Sequence, residues 1–116
     1  MQCFSILAGN IPGQLVGSCP KAKYYLYRTE DVSSESHVEE QYWAAAAERA
    51  DSVGVDVIST SLGYSTFDNP AFNHTYADMD GNTTIIAKAA DLAAKKGMIV
   101  MVAAGNEGNK PWHYIL

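Results

Sequence analysis

Along this chain the spacing of apolar and polar positions changes several times, and each change marks an element. Residues 2–9, Gln-Cys-Phe-Ser-Ile-Leu-Ala-Gly, read as the tail of a helix closed by Gly9 and Asn10. Residues 10–21 hold two prolines and two glycines and predict a loop. Residues 22–28 are rich in tyrosine and predict a strand, with Tyr24, Tyr25 and Tyr27 packing on both of its sides. Ser36 and Glu39 then have the Ser-x-x-Glu spacing of a capping box. Val38, Tyr42, Ala45, Ala46, Ala50 and Val53 follow at helical spacing, which predicts a helix over 36–53. Gly54 stops it in a backbone conformation where a Cβ would clash. Glu39, Glu40, Glu48 and Asp51 read as its solvated face. A second strand is expected over 55–61 and a second helix over 83–96. Asn82 or Thr83 caps that helix, and Ile85, Ile86, Ala89, Ala90, Leu92 and Ala93 form its apolar face. Lys95 and Lys96 suit its negative end, and Gly97 terminates it.

The third strand, 98–104, reads Met-Ile-Val-Met-Val-Ala-Ala and shows no alternation. A strand apolar on both sides belongs to a parallel sheet covered by helices, which places Met98 and Met101 in the core. The order strand, helix, strand, helix, strand therefore predicts an α/β fold: a three-layer α/β/α arrangement around a parallel sheet, with right-handed crossovers. The connection over 62–82 is long for a compact domain, and loops of that length are often functional.

Composition narrows the partners. The chain has 116 residues, enough for about one small domain, and a net charge of −5 with only eight Lys plus Arg. That balance gives no reason to expect nucleic acid. No apolar run approaches the roughly 20 residues of a membrane span, and no signal-peptide pattern opens the chain. Cys3 and Cys19 form no CxxC pair, no Cys/His group has zinc spacing, and both are expected to be small buried apolar residues. The segment 77–82 fails the calcium-loop pattern, because Tyr76 and Ala87 stand where the first and last ligands belong. It reads as a turn before a helix. No metal and no cofactor is expected, and His37, His74 and His113 read as surface or structural. Trp112 and Tyr114 are expected to cover the end of the sheet.

Ligands of open α/β sheets bind beyond the carboxyl ends of the strands. Two such ends carry unusual residues here, Ser61-Leu62-Gly63 and Ala104-Gly105-Asn106. If their strands are neighbours, the two exits form opposite lips of one crevice, open because Gly63 and Gly105 lack side chains. The backbone of 61–63 suits an extended peptide added as a strand. The carboxamide of Asn106 suits an oxygen that gains negative charge. A nucleotide-binding α/β domain would instead need a glycine-rich turn after the first strand, where Thr-Glu-Asp-Val-Ser-Ser-Glu-Ser stands.

The runs VISTSLG, KGMIVMVAAGNEG and LVGSCPKAKYYLYRTED resemble the subtilisin-like serine peptidases, in order and in spacing, over essentially the whole chain. Ser-Leu-Gly-Tyr and Thr-Glu-Asp suggest a bacterial branch. By this resemblance Asn106 is the catalytic oxyanion-hole donor. Ser61, Leu62 and Gly63 bind the substrate backbone, and Ala103, Ala104 and Gly105 line the other side of the pocket. The implied partner is a peptide or protein substrate, and the implied location is secreted or in the cell envelope. The triad strings Asp-Ser/Thr-Gly, His-Gly-Thr and Gly-Thr-Ser-Met do not occur. Residues 1–116 are thus expected to be a central part of a catalytic domain, inactive alone, with the triad outside them. The alternative is a catalytically dead relative that binds peptides. Exposed sheet edges predict a homodimer.

Overall fold

Two parallel strands and the helix that joins them form the centre of the chain in a computed structural model, which describes residues 2–114. Strand β3, Val57–Thr60, runs beside β4, Ile99–Val102, with Val57 opposite Ile99 and Thr60 opposite Val102. Helix α3, Ile85–Lys95, makes the crossover between them, and helix α2, Val38–Ser52, precedes β3 and packs along α3. The architecture is α/β, as the pattern predicts, although the strands are shorter than expected at both ends.

The sheet's pleat decides what each side chain meets. Ile58 and Val100 turn toward a buried cluster of Ala50 from α2, Ala93 from α3, and Met98. Trp43 of α2 is buried on the same side and donates its indole N–H to Thr60 Oγ1 at 3.1 Å. The alternate residues Val57, Ile99 and Met101 are each more than half exposed. Helices therefore cover one face, and among the described residues the other is bare. Met98 is in the core as expected; Met101 lies on the bare face, because its neighbour Val100 takes the inward position.

Residues 22–28 do not form the expected strand. They pair with no strand among the described residues, and Tyr25, Leu26 and Tyr27 are exposed. Tyrosine favours a half-buried pleated surface but supplies no ladder partner, and an isolated segment gains nothing from extension. Tyr24 is anchored edge-on to Phe4 at 5.1 Å and through its hydroxyl to the Cys19 carbonyl.

The amino-terminal part is a small unit of its own. Helix α1, Gln2–Ala8, ends where Gly9 N–H donates to Ser5 O, and a Cβ on Gly9 would stand 2.5 Å from that oxygen. The expected loop over 10–21 contains a short antiparallel hairpin, β1 (Asn10–Ile11) with β2 (Leu15–Val16), turned on Gly13 in the left-handed region. The amides of Ser18 and Cys19 donate to Ile6 O and Leu7 O, tying the hairpin's exit to α1. So small a unit buries little, and Cys3 and Cys19 are free and exposed rather than buried.

Helix α2 buries a different stripe from the one expected. Glu40, Trp43, Ala47 and Ala50 are inside, whereas Tyr42 is half-exposed and Val38 faces outward. A run of four alanines makes several faces equivalent, so the single large ring, Trp43, sets the rotation. The expected solvated glutamates are a clear reversal: Glu39 is 2 % exposed and Glu40 0 %. Glu39 accepts from the amides of Asp31 at 2.7 Å and Ser36 at 3.1 Å, the second being the reach-back half of a capping box. Helix α3 is capped by Thr84, whose Oγ1 accepts from Ala87 N–H, rather than by Asn82 or Thr83. Those two amides are already taken by Asp80 Oδ1. The segment 77–82 is a turn, as expected.

Candidate functional site at the carboxyl end of the sheet

The parallel register brings the two strand exits together. Beyond the last paired residues, Ala103 N–H donates to Thr60 O at 3.0 Å, so the ladder continues one step into the turn. Ser61, Leu62 and Gly63 leave one strand exactly where Ala103, Ala104, Gly105 and Asn106 leave its neighbour, about 4.8 Å away across the ladder. Gly105 has φ +81°, a conformation open to glycine and strained for other residues, and it turns the chain so that Asn106 follows on a bend. All of these residues are exposed except Leu62, which is half-buried. The amide and carbonyl groups of 61–63 enter no ladder among the described residues, which leaves that backbone available to an extended chain.

What holds the ledge lies just past it. Tyr64 is buried, stacks on Phe67 at 5.9 Å between centroids, and donates its hydroxyl to Glu30 Oε1 at 2.6 Å. Burial and that carboxylate acceptor push the phenol pKa far above its ordinary value. The hydroxyl therefore stays a donor, and residue 64 pins the exit of β3 to the loop before α2. Further along, Glu35 and Asp68 exchange two bonds, Glu35 N–H to Asp68 Oδ2 and Asp68 N–H to Glu35 O. His74 N–H donates to Ser65 O, and Phe67 N–H to Asn73 Oδ1. The long loop is thus folded on itself, with two short 3₁₀ turns at Pro70–Phe72 and Tyr76–Asp78. Trp112 and Tyr114 gather on Tyr76 of this loop, at 6.3 and 4.4 Å between ring centroids.

The same loop reveals a group that sequence spacing does not suggest. His74 Nε2 lies 2.6 Å from Glu40 Oε1, and His37 Nε2 lies 3.9 Å from the same oxygen. His37 and Glu40 share a helix face at i, i+3, but His74 is 34 residues away from Glu40 and reaches it only through the fold. The pairing of a histidine with an acidic residue three positions on was the only local signal. His113 stands apart, with Nδ1 2.9 Å from Gly108 O and a positive φ of 65°.

The fold is a parallel α/β unit in which two glycine-bearing strand exits lie side by side, with an exposed asparagine following one of them. The family follows from comparison with known proteins: the model of the subtilase family, Peptidase_S8, matches residues 2–114, and the chain belongs to that family. Similar curated proteins are C5a peptidases of Streptococcus pyogenes. The one from serotype M18, strain MGAS8232, is 31% identical over 110 residues, which is 90% of this chain and 9% of that protein. Another, from serotype M3, strain ATCC BAA-595 / MGAS315, is 31% identical over 90% of this chain and 8% of its own length. The chain thus spans less than a tenth of the curated relatives it matches. No solved structure gives a significant match. No helix among the described residues is long and apolar enough to cross a membrane.

Proposed function

We propose that this chain supplies the substrate-binding strand and the oxyanion donor of a subtilisin-like serine endopeptidase. The observation that supports this reading is the hydrogen bond from Ala103 N–H to Thr60 O, which sets the two strand exits side by side. In the reaction a serine attacks the peptide carbonyl, a histidine moves its proton, and the carbonyl oxygen becomes an anion. Asn106, following the left-handed Gly105, donates its carboxamide N–H to that oxygen, and a fixed donor is most effective where charge develops. The substrate lies extended along Ser61, Leu62 and Gly63 and pairs with their backbone, with Ala103, Ala104 and Gly105 opposite. Gly63 and Gly105 carry no side chain, and Ser61, Ala103 and Ala104 carry small ones, which suits close approach of a peptide backbone.

The nucleophile, base and orienting acid belong to other segments of the enzyme, because their sequence strings are absent from these 116 residues. The isolated chain is accordingly inactive. The relatives' name points to a protein substrate, and the family resemblance to a location outside the cell. An active-site-directed fluorophosphonate tests the reading. The intact protein carrying this chain should be labelled, and the 116-residue chain by itself should not. An intact protein that binds peptides but resists labelling would indicate the catalytically dead relative instead.

A further inference from the structure

We propose that His37, Glu40 and His74 form a zinc-binding site, separate from the strand exits. The three residues offer one ligand atom each, and these atoms lie within 4.8 Å of one another. Two imidazoles and one carboxylate are a zinc donor set, with room for water as a fourth ligand. Calcium and magnesium prefer all-oxygen shells and are poor matches.

Four further observations support a cation here. Glu40 is 0 % exposed, and the ion-pair partners its carboxylate has among the described residues are the two histidines, with no lysine or arginine. A buried carboxylate needs compensating charge, which a divalent ion supplies. Its second oxygen, Oε2, accepts from Ile86 N–H at 3.1 Å, which fixes the carboxylate and leaves Oε1 aimed at both imidazoles. The rings are held as well: Phe72 stacks on His37 at 5.4 Å and 7°, and Phe67 stands edge-on to His37 and His74 at 5.4 and 5.3 Å. Finally, the His37 side chain is 32% exposed while that of His74 is 11%, so the site opens to solvent on one side and an ion has an entry.

The fit requires an adjustment of the ligand spacing. With metal–ligand distances of about 2.0–2.1 Å, ligand atoms around tetrahedral zinc sit roughly 3.3 Å apart. The separations present are 2.6 and 3.9 Å, one shorter and one longer than that target. The two imidazole nitrogens lie within 4.8 Å of each other, and binding would draw all three ligand atoms to a common spacing. Bound zinc would clamp the long loop to the start of α2 and, through Ile86, to α3.

The test uses the protein with Cys3→Ser and Cys19→Ser, so that exposed thiols do not compete. After chelator stripping, the protein is titrated with Zn2+ by calorimetry and with Co2+ by visible absorption. One equivalent of Zn2+ should bind, Co2+ should give the intense visible bands of tetrahedral coordination, and Zn2+ should raise the melting temperature. His37→Gln retains both partners of the His74–Glu40 contact, and melting of the metal-free protein checks that the fold is kept. The substitution should weaken Zn2+ binding by more than about 100-fold, beyond the 10–100-fold typical of residues that only support a ligand. His74→Gln should do the same, and His113→Gln should change nothing. Absence of stoichiometric zinc overturns the proposal, as does zinc whose affinity survives His37→Gln or depends on His113. Either result would leave the cluster as a hydrogen-bonded pin.

Discussion

Ala103 donates its amide to the carbonyl of Thr60 across 3.0 Å, one step past the last paired residues of two parallel strands. This bond fixes how far apart Ser61 and Ala104 emerge, and with them the glycine-bearing ledge and the asparagine turn. The consequences below depend on that spacing.

Asn106→Ala in the intact peptidase should lower kcat by roughly 100- to 1,000-fold with little change in KM, a magnitude known from a subtilisin and so from this family's own example. On the proposed role, the donor engages the oxygen only once it is charged, so binding of the ground state should be spared. Steady-state kinetics on a peptide substrate measure it, and a change confined to KM would count against the role.

Gly105→Ala should destabilise the protein by about 1–2 kcal/mol, because a Cβ is strained at φ +81°. It should also reduce kcat by displacing Asn106. Gly108 provides the comparison: a Cβ there meets nothing within 4 Å, so Gly108→Ala should leave the melting temperature nearly unchanged.

Thr60→Val should cost about 1–3 kcal/mol, since it keeps the side-chain volume but leaves the buried Trp43 indole N–H without its acceptor. Denaturant unfolding followed by tryptophan emission reads the loss.

The loop should loosen in acid. Thr75 N–H and Oγ1–H both donate to Asp78 Oδ2, and Asn82 N–H and the Thr83 hydroxyl and amide donate to Asp80. These bonds hold both carboxyls below their ordinary value of 3.8. A group lowered in the folded state contributes stability above its unfolded pKa and loses it as pH falls through the folded one. Amide protection at Thr75, Asn82 and Thr83 should therefore be constant from neutrality to about pH 4 and decline below it. Hydrogen exchange across an acid series checks this, and Asp80→Asn should remove the pH dependence at 82 and 83.

Val57, Ile99 and Met101 leave one sheet face apolar and exposed, and such faces associate. The 116-residue chain should show a mass that rises with concentration in sedimentation, and Met101→Lys should shift it toward monomer.

Some of this was legible in the residues alone. The two crossover strands, both long helices and the stops at Gly54 and Gly97 follow from local period and backbone chemistry, and the structure has both glycines at positive φ. The placement of Gly63, Gly105 and Asn106 just past the ends of the two paired strands was legible too. The strand expected over 22–28 was not, since tyrosines express a preference that only a partner can realise. Nor was the burial of Glu39 and Glu40.

The sequence by itself determined where the two long helices and the two crossover strands lie and which residues follow the carboxyl ends of those strands, because those depend on neighbours within a few positions. Only the tertiary structure decided which stripe of α2 faces inward, which side of the sheet stays bare, and that His74 meets Glu40 from 34 residues away. Those outcomes depend on partners distant along the chain. An alanine-rich helix with carboxylates at its start has no local reason to choose one rotation, until a ring such as Trp43 and donors such as Ile86 N–H arrive from elsewhere.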